Sequence, residues 1–248
     1  MDLIETHRKF LRNDLREEAL YIQSDQSKKF PPPLMEKPCS ENAILIELIP
    51  PELITIGKMP LINVINKRRS RRQFEEIPLT LEELSFLLWA TQGVKEVLSS
   101  AAALKTVPSA GARHPFETYL FINRISGINK GLYRYLPLEH KLCFLYEDEK
   151  MNEKINDACM GQNFAGDCAV TFIWTVIPYR TEWRYHVLSS KIILLDAGHI
   201  CQNLYLASES IGAGTCAIGA YLQSKMDAIL GVDGKDEFTV YLAPVGKI

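Results

Sequence analysis

The chain has 248 residues, with 28 Lys and Arg against 30 Asp and Glu, so its formal net charge at pH 7 is −2. Apolar residues make up 47% of the chain, enough for a substantial core in one large domain or two small ones. This charge balance argues against a general nucleic-acid or membrane surface. The six cysteines show no C-x-x-C spacing, which argues against a zinc site or a redox dithiol.

The N-terminal region is predicted to be a charged helix over residues 2–20, followed by the proline-rich connector, residues 28–38. It lacks the apolar core of a signal peptide, and no apolar stretch in the chain is long enough to span a bilayer. We therefore expect a cytoplasmic protein with free thiols. The simplest division is an N-terminal extension, residues 1–59, and one domain, residues 60–248.

Two helices are marked clearly by the sequence. Thr80, with Glu83 three residues later, predicts a capping box that starts a helix ending near Gln92. A longer helix is predicted over residues 190–211, because apolar residues recur there at intervals of three and four. Gly212 follows its end, as expected for a helix C-terminus.

Five segments are rich in aromatic and β-branched residues and are predicted to be strands. They are residues 116–125, 131–137, 141–146, 168–177 and 237–246. The fourth and fifth are apolar on both faces, which places them inside a sheet. Strands and helices do not alternate strictly, so we predict an α+β domain with helices against a mixed or antiparallel sheet.

The stretch "NKRRSRRQF", residues 66–74, is called the basic segment here. It holds five cationic side chains around Ser70, and three interpretations are open: a solvated surface run, a nuclear-localisation or nucleic-acid patch, and a phosphate site. Arginine suits phosphate because its planar guanidinium donates two hydrogen bonds at once.

Two further segments are built from small residues. "KTVPSAGARHPFETYLF", residues 105–121, predicts a tight loop that leads into a strand, and it lacks the glycine of a G-x-S-x-G nucleophile elbow. "SIGAGTCAIGAYL", residues 210–222, allows close backbone approach but has no G-x-G-x-x-G dinucleotide fingerprint.

Taken together, five stretches resemble the nitroreductase family of flavoenzymes, and more narrowly its branch of SagB-type dehydrogenases. They are "RRSRRQF" (68–74), "LLWATQGV" (87–94), "TVPSAGARHPFE" (106–117), "GLYRYLPLEHKL" (131–142) and "DAGHICQNLYLASESIGAGTCAIGAY" (196–221). The resemblance spans residues from about 60 to the C-terminus. It implies a nitroreductase-like fold, an intertwined homodimer, and FMN bound at the dimer interface.

The resemblance also implies the residues that contact FMN. Those near its phosphate and ribityl chain would be Arg68, Arg69, Ser70 and Arg72, with Lys247 as a further phosphate cation. Those against the isoalloxazine ring, expected from the partner chain, would be Pro108, Ser109, Ala110 and Gly111. Those that present backbone near the ring would be Ala217, Ile218 and Gly219.

Departures from the family pattern concern the catalytic groups. Azoline-oxidising members carry a Lys-Tyr pair where this chain has Arg184 and Tyr185, and arginine cannot act as a base near neutral pH. Tyr185 can still donate or relay a proton. The usual "SAGALYP" is "SAGARHP" here, so Arg113 and His114 are expected to add polarity near the pocket. His114 is either a proton donor or substrate contact, or a loop-structuring residue.

Asp196, His199 and Asn203 recur at helical spacing. They are expected to form a buried hydrogen-bond network rather than a metal site, because a metal needs a further ligand and a defined geometry.

Three functions follow from the resemblance. The first is an FMN-dependent oxidoreductase that passes hydride, in two steps through flavin N5, from NAD(P)H to a small organic acceptor. The second is a SagB-type dehydrogenase that oxidises azolines in a modified peptide. The third is a non-catalytic flavin-binding or flavin-processing protein.

Overall fold

The computed structural model describes residues 2–12 and 15–248. Helices α1 (Leu3–Leu11) and α2 (Leu15–Ala19) occupy the N-terminal region that was predicted to be helical. The predicted helix also included residues 13 and 14, which lie outside the described residues.

The remaining helices and strands alternate irregularly along the chain. In order they are β1 (Leu45–Glu47), α3 (Leu61–Lys67), α4 (Leu81–Gln92), β2 (Val94–Ser99), β3 (Ala102–Lys105), β4 (Phe116–Ile122), β5 (Gly131–Leu136), β6 (Lys141–Tyr146), α5 (Met151–Ala158), β7 (Val170–Val176), α6 (Tyr179–Tyr185), α7 (Ser189–Ser210), β8 (Ala213–Thr215), α8 (Gln223–Leu230) and β9 (Phe238–Lys247).

Seven strands form the central sheet in the order β1-β6-β5-β4-β7-β9-β8, and each neighbouring pair is antiparallel. All five predicted strands are present, and β7 and β9 are flanked on both sides, as their apolar sequences predicted. Strands β2 and β3 form a separate hairpin. The predicted α+β class with a helix-flanked sheet is confirmed.

Helices cover both faces of the sheet because successive side chains of β4 point in opposite directions. Leu120 packs with α4 and α7, in a cluster that includes Leu84 and Leu204. Tyr119 and Phe121 pack on the other face in a cluster with α5 and α8. The sheet is thus the middle of three layers, and α7 crosses one face of it.

The capping box predicted for α4 is present. Thr80 Oγ1 accepts a hydrogen bond from Glu83 N at 3.1 Å, and Glu83 Oε2 accepts one from Thr80 N at 2.9 Å. Glu83 also pairs with Lys247 Nζ at the end of β9. The cap therefore fixes the start of α4 and ties it to the last strand.

Part of the predicted N-terminal extension is integrated with the sheet. Strand β1 pairs with β6 in the register Leu45 to Cys143. The domain boundary at residue 59 stays a prediction. Across residues 2–12 and 15–248, no helix combines the length and apolar character needed to cross a membrane.

Candidate functional site

The basic segment lies along the end of β8 and β9. Arg71 N donates to Thr215 O at 2.9 Å, and Glu75 N donates to Lys247 O at 2.9 Å. The approach is close, because a Cβ added at Gly246 would lie 2.8 Å from Phe74 Cβ. Glycine at this strand position therefore lets the basic segment pack directly on the sheet.

Tyr205 of α7 joins the basic segment to the second glycine-rich stretch. Its hydroxyl lies 2.9 Å from Ser70 Oγ and accepts a hydrogen bond from Ala217 N at 2.8 Å. The Arg68 guanidinium lies over the Tyr205 ring, 5.4 Å from its centroid. The structure thus brings together Arg68, Ser70 and Ala217, three of the predicted cofactor-contacting residues, around Tyr205, which was not predicted as a site residue.

Some cationic side chains of the basic segment and its surroundings form ion pairs with carboxylates, and others do not. Arg71 lies 3.8 Å from Glu209 Oε1, and Lys247 pairs with Glu83. Within residues 2–12 and 15–248, no carboxylate forms an ion pair with Arg68, Arg69 or Arg72. All three are at least partly exposed, and Arg72 lines a cleft of about 570 Å³ with the rest of residues 70–75 and Ile248.

Two of the three residues predicted to present backbone to a ligand, Ala217 and Ile218, already donate their amides to groups of the protein. Ala217 N bonds Tyr205, and Ile218 N donates to Leu242 O at 2.8 Å. Gly219 is exposed, and a Cβ there would meet no atom within 4 Å. Of residues 217–219, Gly219 is therefore the one whose backbone can approach a bound group.

A second cluster surrounds the loop of residues 108–114. Ser109 Oγ donates to Asp196 Oδ2 of α7 at 2.5 Å and accepts from His114 N at 2.9 Å. Ala110 N also bonds the Asp196 carboxylate. Burial raises the pKa of Asp196, whereas the Ser109 hydrogen bond opposes that rise. Asp196 thus holds the loop from α7.

The loop backbone is strained, and it contacts α6. Gly111, Ala112 and His114 have φ values of 60°, 54° and 43°, in a region that costs about 1–2 kcal/mol per non-glycine residue. A Cβ at Gly111 would lie 2.8 Å from Tyr185 Oη and 3.1 Å from Arg184 Cδ. The predicted catalytic pair therefore lies directly beside the predicted ring-contacting loop.

The expectation that Arg113 and His114 add polarity to a pocket is corrected by their burial. The Arg113 guanidinium donates to Arg180 O at 2.8 Å and to Ala101 O at 2.9 Å, and it stacks on Trp183. Burial lowers the pKa of His114 to about 3, and its ring bonds the Ala103 backbone. His114 is therefore neutral near pH 7 and structures the loop. The catalytic role predicted for His114 stays a prediction.

The polar residues at helical spacing on α7 have separate partners. Asp196 binds the loop, Asn203 Nδ2 donates to Ala90 O at 2.8 Å, and His199 is exposed. The predicted single network is thus divided. Among the described residues there is no group of His, Cys, Asp and Glu side chains suited to a metal ion.

The two clusters lie on opposite sides of α7. Asp196 and Tyr205 are nine residues apart, which is about 2.5 helical turns and about 13 Å along the axis. A half-integral number of turns directs the two side chains away from each other. One chain therefore holds the basic segment and the 108–114 loop on different faces of the same helix.

Replacement of Gly111 by alanine tests the contact between the loop and α6. Gly127 has a similar positive φ of 81° but open space at its Cβ position, so it is a matched control. We expect Gly127→Ala to lower the free energy of unfolding by about 1–2 kcal/mol, and Gly111→Ala to lower it further. The excess should shrink in a Tyr185→Phe background. Urea unfolding measures these values, and equal losses at the two glycines would contradict the contact.

Comparisons with known sequences identify related proteins. The family model described as the nitroreductase family matches residues 65–247. A protein of Methanocaldococcus jannaschii assigned as a nitroreductase is 33% identical over 196 residues, which cover 79% of this chain and 95% of that protein. The trifolitoxin-processing protein TfxB of Rhizobium leguminosarum bv. trifolii is 29% identical over 133 residues, covering 52% of this chain and 36% of TfxB.

Solved structures share the fold. A protein of Ralstonia eutropha assigned as a nitroreductase has a TM-score of 0.67 and 25% identity, covering 88% of this chain and 94% of that one. A chain of the E. coli microcin synthetase McbBCD complex with truncated pro-MccB17 has a TM-score of 0.61 and 17% identity. The match covers 100% of this chain and 98% of that one. The NADPH:FMN oxidoreductase of Vibrio harveyi, complexed with NAD+, has a TM-score of 0.52 and 19% identity. The match covers 75% of this chain and 68% of that one. The family match spans most of the chain and the fold agrees with it, so the chain belongs to the nitroreductase family, as its sequence motifs predicted.

Proposed function

We propose that the protein is an FMN-dependent oxidoreductase whose FMN phosphate is bound by Arg68, Arg69, Arg72 and Ser70. The observation that carries the proposal is that no carboxylate of the described residues pairs with these three arginines, while Arg72 and Ser70 line an open cleft. A phosphate dianion matches this set because charge-assisted bonds from guanidinium groups are among the strongest in proteins. The V. harveyi relative of the fold, named as an NADPH:FMN oxidoreductase, supports this cofactor.

Arg71 and Lys247 have a supporting role in this proposal. Their positive charges are balanced by Glu209 and Glu83, so they fix the basic segment and the end of β9 in place. Lys247 was predicted as a further phosphate cation. It can serve as one only by sharing its ammonium group with Glu83.

The ring of the flavin is proposed to lie between Gly219 of one chain and Pro108, Ser109, Ala110 and Gly111 of a second chain. The opposite placement of the two clusters on α7 supports a site completed by a partner. When bound, FMN supplies reversible hydride transfer. The polypeptide orients the ring through Gly219 and the Asp196-anchored loop.

A homodimer is proposed because apolar side chains are exposed on α3 and α7. These are Leu61, Ile62, Ile65, Leu194 and Leu195, each more than half exposed. Exposed apolar side chains of this size are often covered at an interface between chains. Sedimentation equilibrium of the purified protein should give twice the 28.1 kDa chain mass, and a monomer at micromolar concentration would contradict the dimer.

Tyr185 is proposed as the residue that holds or moves a proton during turnover. It is half-buried, and Arg184 lies 5.6 Å from its ring centroid. Arg184 carries a guanidinium group beside this ring, so its proposed part is to bind anionic groups of a substrate. All six cysteines are free, which supports the cytoplasmic location proposed for the enzyme.

A second candidate function is oxidation of azolines in a modified peptide. It is favoured by the relatives named as a trifolitoxin-processing protein and as part of microcin synthetase. Arg184, in place of the lysine of that branch, disfavours it because azoline oxidation needs a base. NAD(P)H-dependent reduction of a small acceptor is therefore preferred.

The phosphate assignment is tested by Arg68→Ala/Arg72→Ala. The double variant should lose FMN affinity by at least about 100-fold, since each bond to a charged group contributes about 1.5–3 kcal/mol. The control Lys150→Ala/Lys225→Ala removes two exposed cations at the helices on the other face of the sheet and should bind FMN normally. Fluorescence titration with FMN measures both. A folded double variant that retains FMN at wild-type affinity would refute the assignment.

The direction of the reaction is tested by adding NADH and NADPH anaerobically to the flavin-loaded protein. Loss of the flavin absorption band supports the reductase, and oxygen-dependent turnover of a thiazoline peptide without nicotinamide supports the second candidate. Flavin inert to both would contradict both enzymatic proposals.

Tyr185→Phe should keep FMN and slow turnover by about 100-fold. Tyr179→Phe, on the same helix, should leave turnover unchanged.

A further inference from the structure

The end of the proline-rich connector is fixed on the sheet by charged groups. Lys37 Nζ pairs with Glu237 Oε2 at 2.6 Å, and Lys37 N donates to Glu117 Oε1 at 2.9 Å. Arg134 Nη2 donates to Pro38 O at 2.9 Å. Glu117 and Arg134 are 2% and 3% exposed, so the connector packs against a buried ionic cluster.

Two cysteines and an arginine lie together where the connector ends. Arg134 of β5 is directly opposite Cys143 of β6 in the strand register, which places both side chains on one face. Arg134 Nη2 donates to Cys39 Sγ at 3.2 Å. Cys143 Sγ donates to Phe144 O at 3.8 Å and lies close enough to the Cys39 thiol for the two groups to interact. Cys39, just after the connector, is therefore in contact with a guanidinium group and with a second thiol.

Exposure distinguishes Cys39 from the other cysteines, including Cys143, which is buried and whose pKa burial raises to about 11. Cys39 is partly exposed, whereas Cys159, Cys168, Cys201 and Cys216 are buried. Burial also raises the pKa of both Cys159 and Cys201 to about 12. Among the described residues, no arginine donates a hydrogen bond to any of these four sulfurs. An arginine beside a partly exposed sulfur is the usual environment of a reactive cysteine.

We propose that Cys39 is a site of oxidation by hydroperoxides and that Cys143 resolves the product as a disulfide. The Cys39 sulfur attacks the distal peroxide oxygen, the O–O bond breaks, and water leaves, which forms a sulfenic acid. The Cys143 sulfur then attacks Cys39, the S–O bond breaks, and the departing hydroxyl leaves as water with the thiol proton. In total, two thiols lose two electrons and one hydrogen peroxide becomes two waters. A dithiol then reduces the disulfide by exchange and restores both thiols.

The disulfide would fix one end of the connector, whose other end contacts α6. Gln26 N donates to Trp183 O at 2.8 Å, and Trp183 Nε1 donates to Phe30 O at 3.1 Å. Cross-linking Cys39 to β6 therefore restricts the segment that packs against the helix carrying Tyr185. This site is independent of the proposed flavin function.

The test uses the reduced full-length protein treated with hydrogen peroxide, followed by alkylation and intact mass and non-reducing peptide mapping. We expect two fewer alkylated cysteines than in the untreated protein, one cross-link between Cys39 and Cys143, and recovery of both thiols with dithiothreitol. Trypsin cleavage after the exposed Lys28 and Lys29 should slow in the oxidised protein.

Variants make the assignment specific. Cys39→Ser and Cys143→Ser should each abolish the cross-link, whereas Cys159→Ala, a substitution at a buried position, should retain it. A first disulfide between Cys159 and Cys168 or between Cys201 and Cys216 would overturn the proposal. So would a stable Cys39 sulfenic acid in the wild type, or no reaction of Cys39 while other thiols oxidise.

Discussion

Helix α7 is the element on which the geometry of the candidate site depends. One hydrogen bond, from Ser109 to Asp196, fixes the strained loop before β4. The Tyr205 hydroxyl fixes the basic segment and the start of the 217–219 stretch. Ile200 and Leu204, between these two anchors, are buried against the sheet, so the helix cannot rotate without opening the core. The spacing of the two anchors is thereby set by packing rather than by the loops themselves.

Charged side chains are paired differently in the core of the domain and at the candidate binding surface. On the far face of the sheet, Glu117 is buried between Arg180 and Arg134, and removal of one partner of such a pair is strongly destabilising. The basic segment differs, because Arg68, Arg69 and Arg72 form no ion pair with any carboxylate in the described part of the chain. An anion that binds these cations in the folded state stabilises the fold by mass action.

Local sequence signals predicted the elements that they encode. The capping box at Thr80, the apolar spacing of α7 and the five aromatic or β-branched strands all depend on neighbouring residues, and all are present. The signals failed where structure depends on distant partners. Strands β1 and β8 have three residues each and exist only through pairing with β6 and β9. The helices α3, α5, α6 and α8 have only seven or eight residues each, about two turns, which is too short for apolar spacing to be decisive.

The same limit applies to the candidate site. The sequence located the basic segment and the 108–114 loop, but it could not show that Lys247 meets Glu83 or that His114 is buried, since both depend on tertiary packing. Nor could it show that residues before the domain contribute to the site's surroundings. The chain before residue 40 contacts α6 through Gln26 and Phe30 and the sheet through Lys37. Tyr185 also lines a cavity of about 200 Å³ with Leu15 and Arg16 of α2. A substrate that approaches Tyr185 on this side must therefore pass the N-terminal segment, so the freedom of that segment governs access there.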